Sequence, residues 1–134
     1  YGNDRDILDR VIPRFVISAL KNEPLYVHGG AQVFDFTNID DTVRGIIKTI
    51  EYLENQENNV IYEDFHILTG KPTNILELAN IILSRVSSSS QVIITKPRNY
   101  DVVKFYGDPS KAYNTLGFSS NIGIEEGISM TIKN

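Results

Sequence analysis

Apolar residues recur along this chain with two alternating periods. Between positions 11 and 20, Val11, Ile12, Phe15, Val16, Ala19 and Leu20 fall at helical spacing, while Arg10, Arg14, Ser18 and Lys21 share the other side. Residues three and four apart lie on one face of an α-helix, so the stretch predicts an amphipathic helix with a basic outer face. Pro13 has no amide proton to donate, which confines it to the first turn, with Asp9 near the positive end of the helix dipole. The period then shortens. "LYVH" and "VFDFTNI" are short segments rich in valine and aromatics, separated by "GGAQ", and they predict two strands joined by a turn or bulge. In the second, alternation sets Val33, Asp35 and Thr37 on one side and Phe34, Phe36 and Asn38 on the other.

Val43, Ile46, Ile47, Ile50 and Leu53 return to helical spacing as the buried stripe of a second helix that starts at Asp40 or Asp41. An aspartate there accepts bonds from first-turn amides and meets the dipole favourably, a contribution of about 1 kcal/mol. The pair therefore reads as a cap in preference to a catalytic or metal-binding pair. After the polar "QENN", "VIYEDFHIL" predicts a strand carrying His66, read as a hydrogen-bonded structural histidine. Asn74 with Glu77 three residues on has the capping-box pattern of a third helix, whose buried face is Ile75, Leu78, Ala79, Ile82, Leu83 and Val86. "VIIT" follows as a buried strand, then the polar loop "KPRNYD" and the apolar segment "VVKFY". "GDPSKAYNTLG" holds the start and stop signals of a further helix: Asp108 as cap, Pro109 at the first position, Gly117 as terminator. A last helix buries Ile124, Ile128 and Ile132. Alternating strands and helices, with no repeat and no dividing linker, predict one α/β layered unit over residues 1–134.

Composition narrows the function classes. At 134 residues and 41% hydrophobic content the chain is long enough for one ordinary core. Thirteen basic and seventeen acidic side chains are interspersed, for a net charge of -4, so there is no electrostatic footprint for nucleic acid or an anionic membrane. A small anionic ligand is compatible, because a few placed donors suffice. Cysteine is absent and there are two histidines, which excludes disulfides, thiolate chemistry and a histidine-rich metal cluster and favours the cytoplasm. The apolar runs fall far short of the roughly 18 residues of a membrane span.

No Gly-rich phosphate loop or "GxSxG" occurs. The loop "KPRNYD" sets Lys96, Arg98 and Asp101 just beyond a strand end, where ligands bind in open α/β sheets. Arg98 can grip phosphate oxygens with its fork of donors and Asp101 can accept from a hydroxyl; a solvated surface ion pair is the competing reading. Tyr26, Phe34 and Phe36 are available for stacking on a base or for packing in the core.

Several segments taken in order resemble the C-terminal half of the NAD-dependent epimerase/dehydratase family, the extended short-chain dehydrogenase/reductases that modify nucleotide sugars. "YG" is similar to that family's "YGP", and "RVIPRFVISALKNEPLYV" to "RVIPxFIxxALxGxPLxV". "GGAQVFDFTNIDDTVRGI" resembles "GDGxQxRDFxYVDDxVxGI", "LTGKPTNILELANII" resembles "GxGxxxSxxELAxxI", "RNYD" resembles "RPGD" and "GDPSKAYNTLGF" resembles "ADxSKAxxxLGW". The resemblance implies a substrate-binding piece, most similar to UDP-glucose 4-epimerase-like members. The absent N-terminal Rossmann half would carry NAD and the catalytic Tyr-Lys pair, so the piece alone would be inert. It implies that Arg98 contacts the diphosphate of a UDP-sugar-like substrate, that Asp101 meets the ribose, and that Leu25, Tyr26 and Val27 form the strand along the base. Phe34 stands where the family has an arginine on the diphosphate. That loss would cost about tenfold or more in affinity unless Arg14, Arg10 or Lys96 substitutes. Two further expectations follow: apolar surface left bare by the missing half would make the chain self-associate, and the rival reading is a stand-alone binding module that kept the fold.

Overall fold

A computed structural model describes residues 10–57 and 61–133. The opening "YG" and Asp9 lie outside the described residues. Among them the order is α1 (Val11–Leu20), β1 (Leu25–His28), β2 (Val33–Phe34), α2 (Ile39–Glu54), β3 (Thr73–Asn74), α3 (Ile75–Val86), β4 (Val92–Thr95), β5 (Lys104–Phe105), α4 (Ser110–Leu116) and α5 (Ile124–Lys133). This is an α/β fold of five helices and short strands, as the alternation predicted.

The strands form two small sheets. β1 pairs with β4 in parallel, from Leu25 opposite Val92 to His28 opposite Thr95. In the other sheet β2 lies between β3, antiparallel, and β5, parallel. The expected pairing of the "LYVH" and "VFDFTNI" strands is therefore corrected. Gly29 and Gly30 sit at φ +82° and +86°, a region open to glycine, and they turn the chain out of one sheet and into the next. "VFDFTNI" forms only a two-residue ladder, because the Asp35 carboxylate turns aside to the Thr69 and Gly70 amides and Asn38 begins a helix.

The main core lies where α1, α3 and α5 pack together over β1. Ile12, Phe15, Val16 and Ala19 meet Leu78, Ala79, Ile82, Ile128, Leu25 and Val27, the faces that helical spacing predicted for α1, α3 and α5. Pro13 is in the first turn of α1. β4 is covered on one side only, with Ile94 turned outward, where "VIIT" had predicted a buried strand. A smaller cluster joins Ala112, Leu116 and Phe118 with Tyr52, Phe65 and Ile67. Gly117 ends α4 in the left-handed conformation with bonds from its own amide to Tyr113 and from Phe118 to Ala112. Asp108 accepts from the Ser110 amide, so the predicted start and stop hold to within one residue.

Two expectations are overturned around α2. Its cap is Asn38, whose side chain accepts from the Asp40 amide at 2.9 Å; Asp40 and Asp41 lie inside the first turn. The stripe of Val43, Ile46, Ile47, Ile50 and Leu53 is 45–52% exposed, because the helix turns Asp41 and Gly45 inward instead. Of "VIYEDFHIL", the described residues 61–68 form no ladder. A strand exists only by pairing, and this segment instead packs Phe65 and Ile67 on α4 and α2. His66 is exposed on it.

Candidate functional site

Because β1 and β4 are parallel, their carboxyl ends open in the same direction. β1 leads there into the Gly29–Gly30 turn and β4 into residues 96–103, which run on to β5 in the second sheet. The hollow between the two sheets is a cavity of about 150 Å³, less than the ~300–1,000 Å³ of a typical small-molecule site. It accommodates part of a nucleotide-sized ligand.

Arg98 and Asp101 form one wall. The guanidinium grips the carboxylate side-on, Nε donating to both oxygens at 3.0 and 3.1 Å and Nη2 lying 2.9 Å from Oδ1. The bond from Arg98 holds the Asp101 carboxyl below its ordinary range, and the same bond raises the Arg98 guanidinium. Both stay charged at any working pH. Arginine has five N–H donors, more than the contacts to Asp101 use. Tyr100 stacks under that group, its ring centre 5.2 Å from the guanidinium carbon. Spacing alone left open a surface ion pair or a ligand-facing loop; the ion pair is present and both of its members line the cavity.

Tyr26 and Val27 of β1 line the cavity, Tyr26 nearly half exposed and Val27 buried. Leu25 does not line it: its side chain is in the core and its amide donates to Gln91. Phe34 lines the opposite side and tilts against Phe36 at 5.8 Å. Three residues that spacing did not single out are also there. Gln32 is buried; its Nε2 donates to the His28 carbonyl at 2.6 Å and lies 3.5 Å from Asp101 Oδ2, and its Oε1 accepts from the Gly30 amide. It ties the end of β1 to the 98–101 turn, and its signal in the sequence was a lone amide between two glycines and an apolar strand. His28 shares a 2.7 Å bond between Nδ1 and the Thr95 hydroxyl. Arg14 lines the cavity from α1, so the face read as the solvated side of that helix looks partly into the site.

The acids of the opening strand-to-helix segment serve the fold. Asp35 holds Thr69 and Gly70, and Asp41 takes the Ser120 hydroxyl and the amides of Asn121 and Ile122. No group of three or more His, Cys, Asp or Glu among the described residues can hold a metal, and no helix among them is long and apolar enough to cross a membrane. The paired glycines do not make a dinucleotide cradle. They lead into a strand and not a helix, and a Cβ on Gly29 would meet Pro97 Cβ at 3.0 Å while one on Gly30 would meet Leu76 at 3.2 Å. Protein already occupies the approach a pyrophosphate would need.

The profile of the GDP-mannose 4,6 dehydratase family matches residues 1–131. A putative UDP-glucose 4-epimerase of Methanocaldococcus jannaschii is 31% identical over 123 residues, 91% of this chain and 37% of that protein. The crystal structure of UDP-glucose 4-epimerase from Thermotoga maritima, solved with UDP-glucose, superposes with a TM-score of 0.85 at 27% identity over 99% of this chain and 42% of that one. UDP-glucuronic acid 4-epimerase from Bacillus cereus, as a Y149F mutant in complex with a fluorinated UDP-glucuronic acid and NAD, gives 0.83 at 25% identity over 96% of this chain and 40% of that one. The chain thus spans about two-fifths of the length of these relatives, and by its profile match, its fold and the order of its motifs it belongs to the GDP-mannose 4,6-dehydratase family of NAD-dependent extended short-chain dehydrogenase/reductases.

Proposed function

We propose that this chain is the nucleotide-sugar-binding portion of an NAD-dependent epimerase or dehydratase, that its cavity takes the nucleotide diphosphate of a UDP-sugar-like substrate, and that residues 1–134 act as one substrate-binding unit. One observation carries the reading: the parallel β1/β4 pair brings the Tyr26 strand and the Arg98–Asp101 turn to a single hollow that both line. Arg98 holds phosphate oxygens, Asp101 accepts from a ribose hydroxyl, and β1 at Tyr26 and Val27 runs along the base, with Phe34 as the facing apolar wall. The small volume fits a ligand whose sugar end extends beyond these residues. NAD belongs to the enzyme as a whole, since the glycines here do not cradle a dinucleotide, and the hydride chemistry it supplies lies with residues outside this cavity. The same reading sets the protein in the cytoplasm, without nucleic acid or membrane as a partner. The uncovered stripe of α2 supports self-association of the chain when it stands alone.

Isothermal titration of the complete polypeptide with UDP-glucose and UDP tests the reading. Charge-assisted bonds from Arg98 to phosphate oxygens are worth about 1.5–3 kcal/mol, so Arg98→Ala weakens binding at least ~tenfold, and added salt weakens the wild type more than the variant. Equal affinity of wild type and variant would remove Arg98 from the site and, with it, the assignment of the cavity.

A further inference from the structure

We propose that Arg14 is the second phosphate-holding cation of this cavity, so that the ligand's anionic end is clamped between α1 and the 98–101 turn. The inference rests on the reading of the cavity as a nucleoside diphosphate site and adds to it a residue from a different element.

The argument begins with charge. A nucleoside diphosphate brings at least two negative charges, whereas Arg98 has part of its fork spent on Asp101, and the two together are neutral. One such pair leaves most of the ligand's charge unmatched, and unmatched charge in a partly desolvated site is costly. Phe34, on the opposite wall, offers an apolar ring. Three further cations lie near in sequence: Arg10, Arg14 and Lys96. Of these, Arg14 lines the cavity and the other two do not.

Its position is also well fixed. Val11, Arg14 and Phe15 all line the cavity and stand at i, i+3 and i+4, one face of the helix. Phe15 is buried, and the adjoining face, Ile12, Val16 and Ala19, is packed in the core against α3. The backbone under Arg14 is therefore held by packing, and its half-buried side chain is part of the cavity wall. A guanidinium suits this work because its planar fork matches two phosphate oxygens at once. With Arg14 on α1 and Arg98 on the loop after β4, the two cations approach from different elements and flank the Tyr26 strand, along which the rest of the nucleotide would lie.

The test is titration calorimetry of the complete polypeptide with UDP and, separately, with uridine, which lacks the phosphates. Arg14→Gln is expected to weaken UDP about tenfold or more, to leave uridine unchanged and to reduce the salt dependence of UDP binding. Arg14→Lys should recover part of the loss, since charge returns without the fork. Placing the cation on the facing wall, Arg14→Gln combined with Phe34→Arg, should restore UDP affinity toward wild type. Unchanged UDP affinity in Arg14→Gln, with wild-type binding intact and sensitive to Arg98→Ala, overturns the role of Arg14 and leaves the cavity assignment standing. An equal loss for UDP and uridine overturns it too, because it marks a change in the helix and not in phosphate contact. If the wild type binds neither compound, both this inference and the reading beneath it fall.

Discussion

The buried carboxylate of Asp41 offers the sharpest test of how the chain is held together. Its side chain is 2% exposed and gathers four donors: the Arg44 guanidinium, the Ser120 hydroxyl at 2.8 Å, the Asn121 amide at 3.1 Å and the Ile122 amide at 2.9 Å. Three of these come from the loop between α4 and α5, so one residue of α2 fastens a segment some eighty positions away. Asp41→Ala leaves two amides and a guanidinium without their acceptor. Breaking a buried charged pair costs about 3–5 kcal/mol; Arg44 keeps access to water, with a third of its side chain exposed, which puts the expected loss near the lower end, about 3 kcal/mol. Asp41→Asn retains one acceptor but sets an NH2 group against donors, for a loss of about 2 kcal/mol. Arg44→Ala removes the solvent-facing member alone and costs about 1 kcal/mol.

Urea unfolding measures this series, with the dependence on denaturant unchanged so that midpoints report stability. Burial pushes the Asp41 carboxyl up, but the bonds from Arg44, the Ile122 and Asn121 amides and Ser120 together bring it below its ordinary value of 3.8. A carboxyl depressed in the folded state stabilises fully above its unfolded value and loses that contribution as pH falls through the folded one. The gap between wild type and Asp41→Asn should thus be full above pH 3.8 and narrow below it. An Asp41→Ala variant within about 0.5 kcal/mol of wild type, the scatter of ordinary surface changes, would refute the reasoning, as would an Arg44→Ala loss as large as that of Asp41→Ala.

Other outcomes follow from single contacts. Gly45→Ala, which in a free helix gains about 1 kcal/mol, should here destabilise by about 1 kcal/mol net, since the new Cβ would overlap Ile67 Cγ2 and overpacking costs ~1–3 kcal/mol; thermal unfolding reads the sign, and adding Ile67→Ala should turn it back. Asp35→Ala should speed hydrogen exchange at the Thr69 and Gly70 amides, which donate to that carboxylate, with protection in α3 unaltered; unchanged exchange would deny the tie. Sedimentation of the chain should show association that Ile47→Asp with Ile50→Asp abolishes, and a wild-type monomer at high concentration would contradict the expectation drawn from the bare α2 face.

How far the sequence could be read depended on whether each feature was local. Helix faces packed inside the chain came through because period and partner coincide: Ile12, Phe15, Val16 and Ala19 on α1 meet Leu78, Ala79 and Ile82 on α3. The α4 boundaries came through because Asp108, Pro109 and Gly117 act within a few residues of themselves. Strand pairing did not, since a two-residue strand such as β2 chooses its neighbours by tertiary fit and not by its own pattern. The site was partly legible. Arg98, Asp101 and Gln32 stand at residues the motifs name, whereas which of Arg10, Arg14 and Lys96 reaches the cavity follows only from the way the sheets and α1 are set. Asp41 was placed at the right helix end in the wrong role, because a cap and an inward-turned first-turn aspartate look the same in one dimension.

The most informative mismatch is the stripe on α2 together with the segment "VIYEDFHIL". Both patterns are strong. One calls for a covering surface and the other for a neighbouring strand, and the described residues supply neither. They meet each other at Gly45 and Ile67, so they form a continuous part of the molecule in which the α2 stripe stays about half exposed and residues 61–68 join no ladder among the described residues. A pattern records what a segment is built to cover, without naming the surface that covers it. The solved relatives have more than twice the residues of this chain, enough to include such a surface. The cavity differs in that its cation pair, its Gln32 tie and its β1 wall are all furnished by these residues. The proposed grip on a phosphate end therefore rests on residues of this chain, while the α2 stripe and residues 61–68 present a face that the described residues leave largely uncovered.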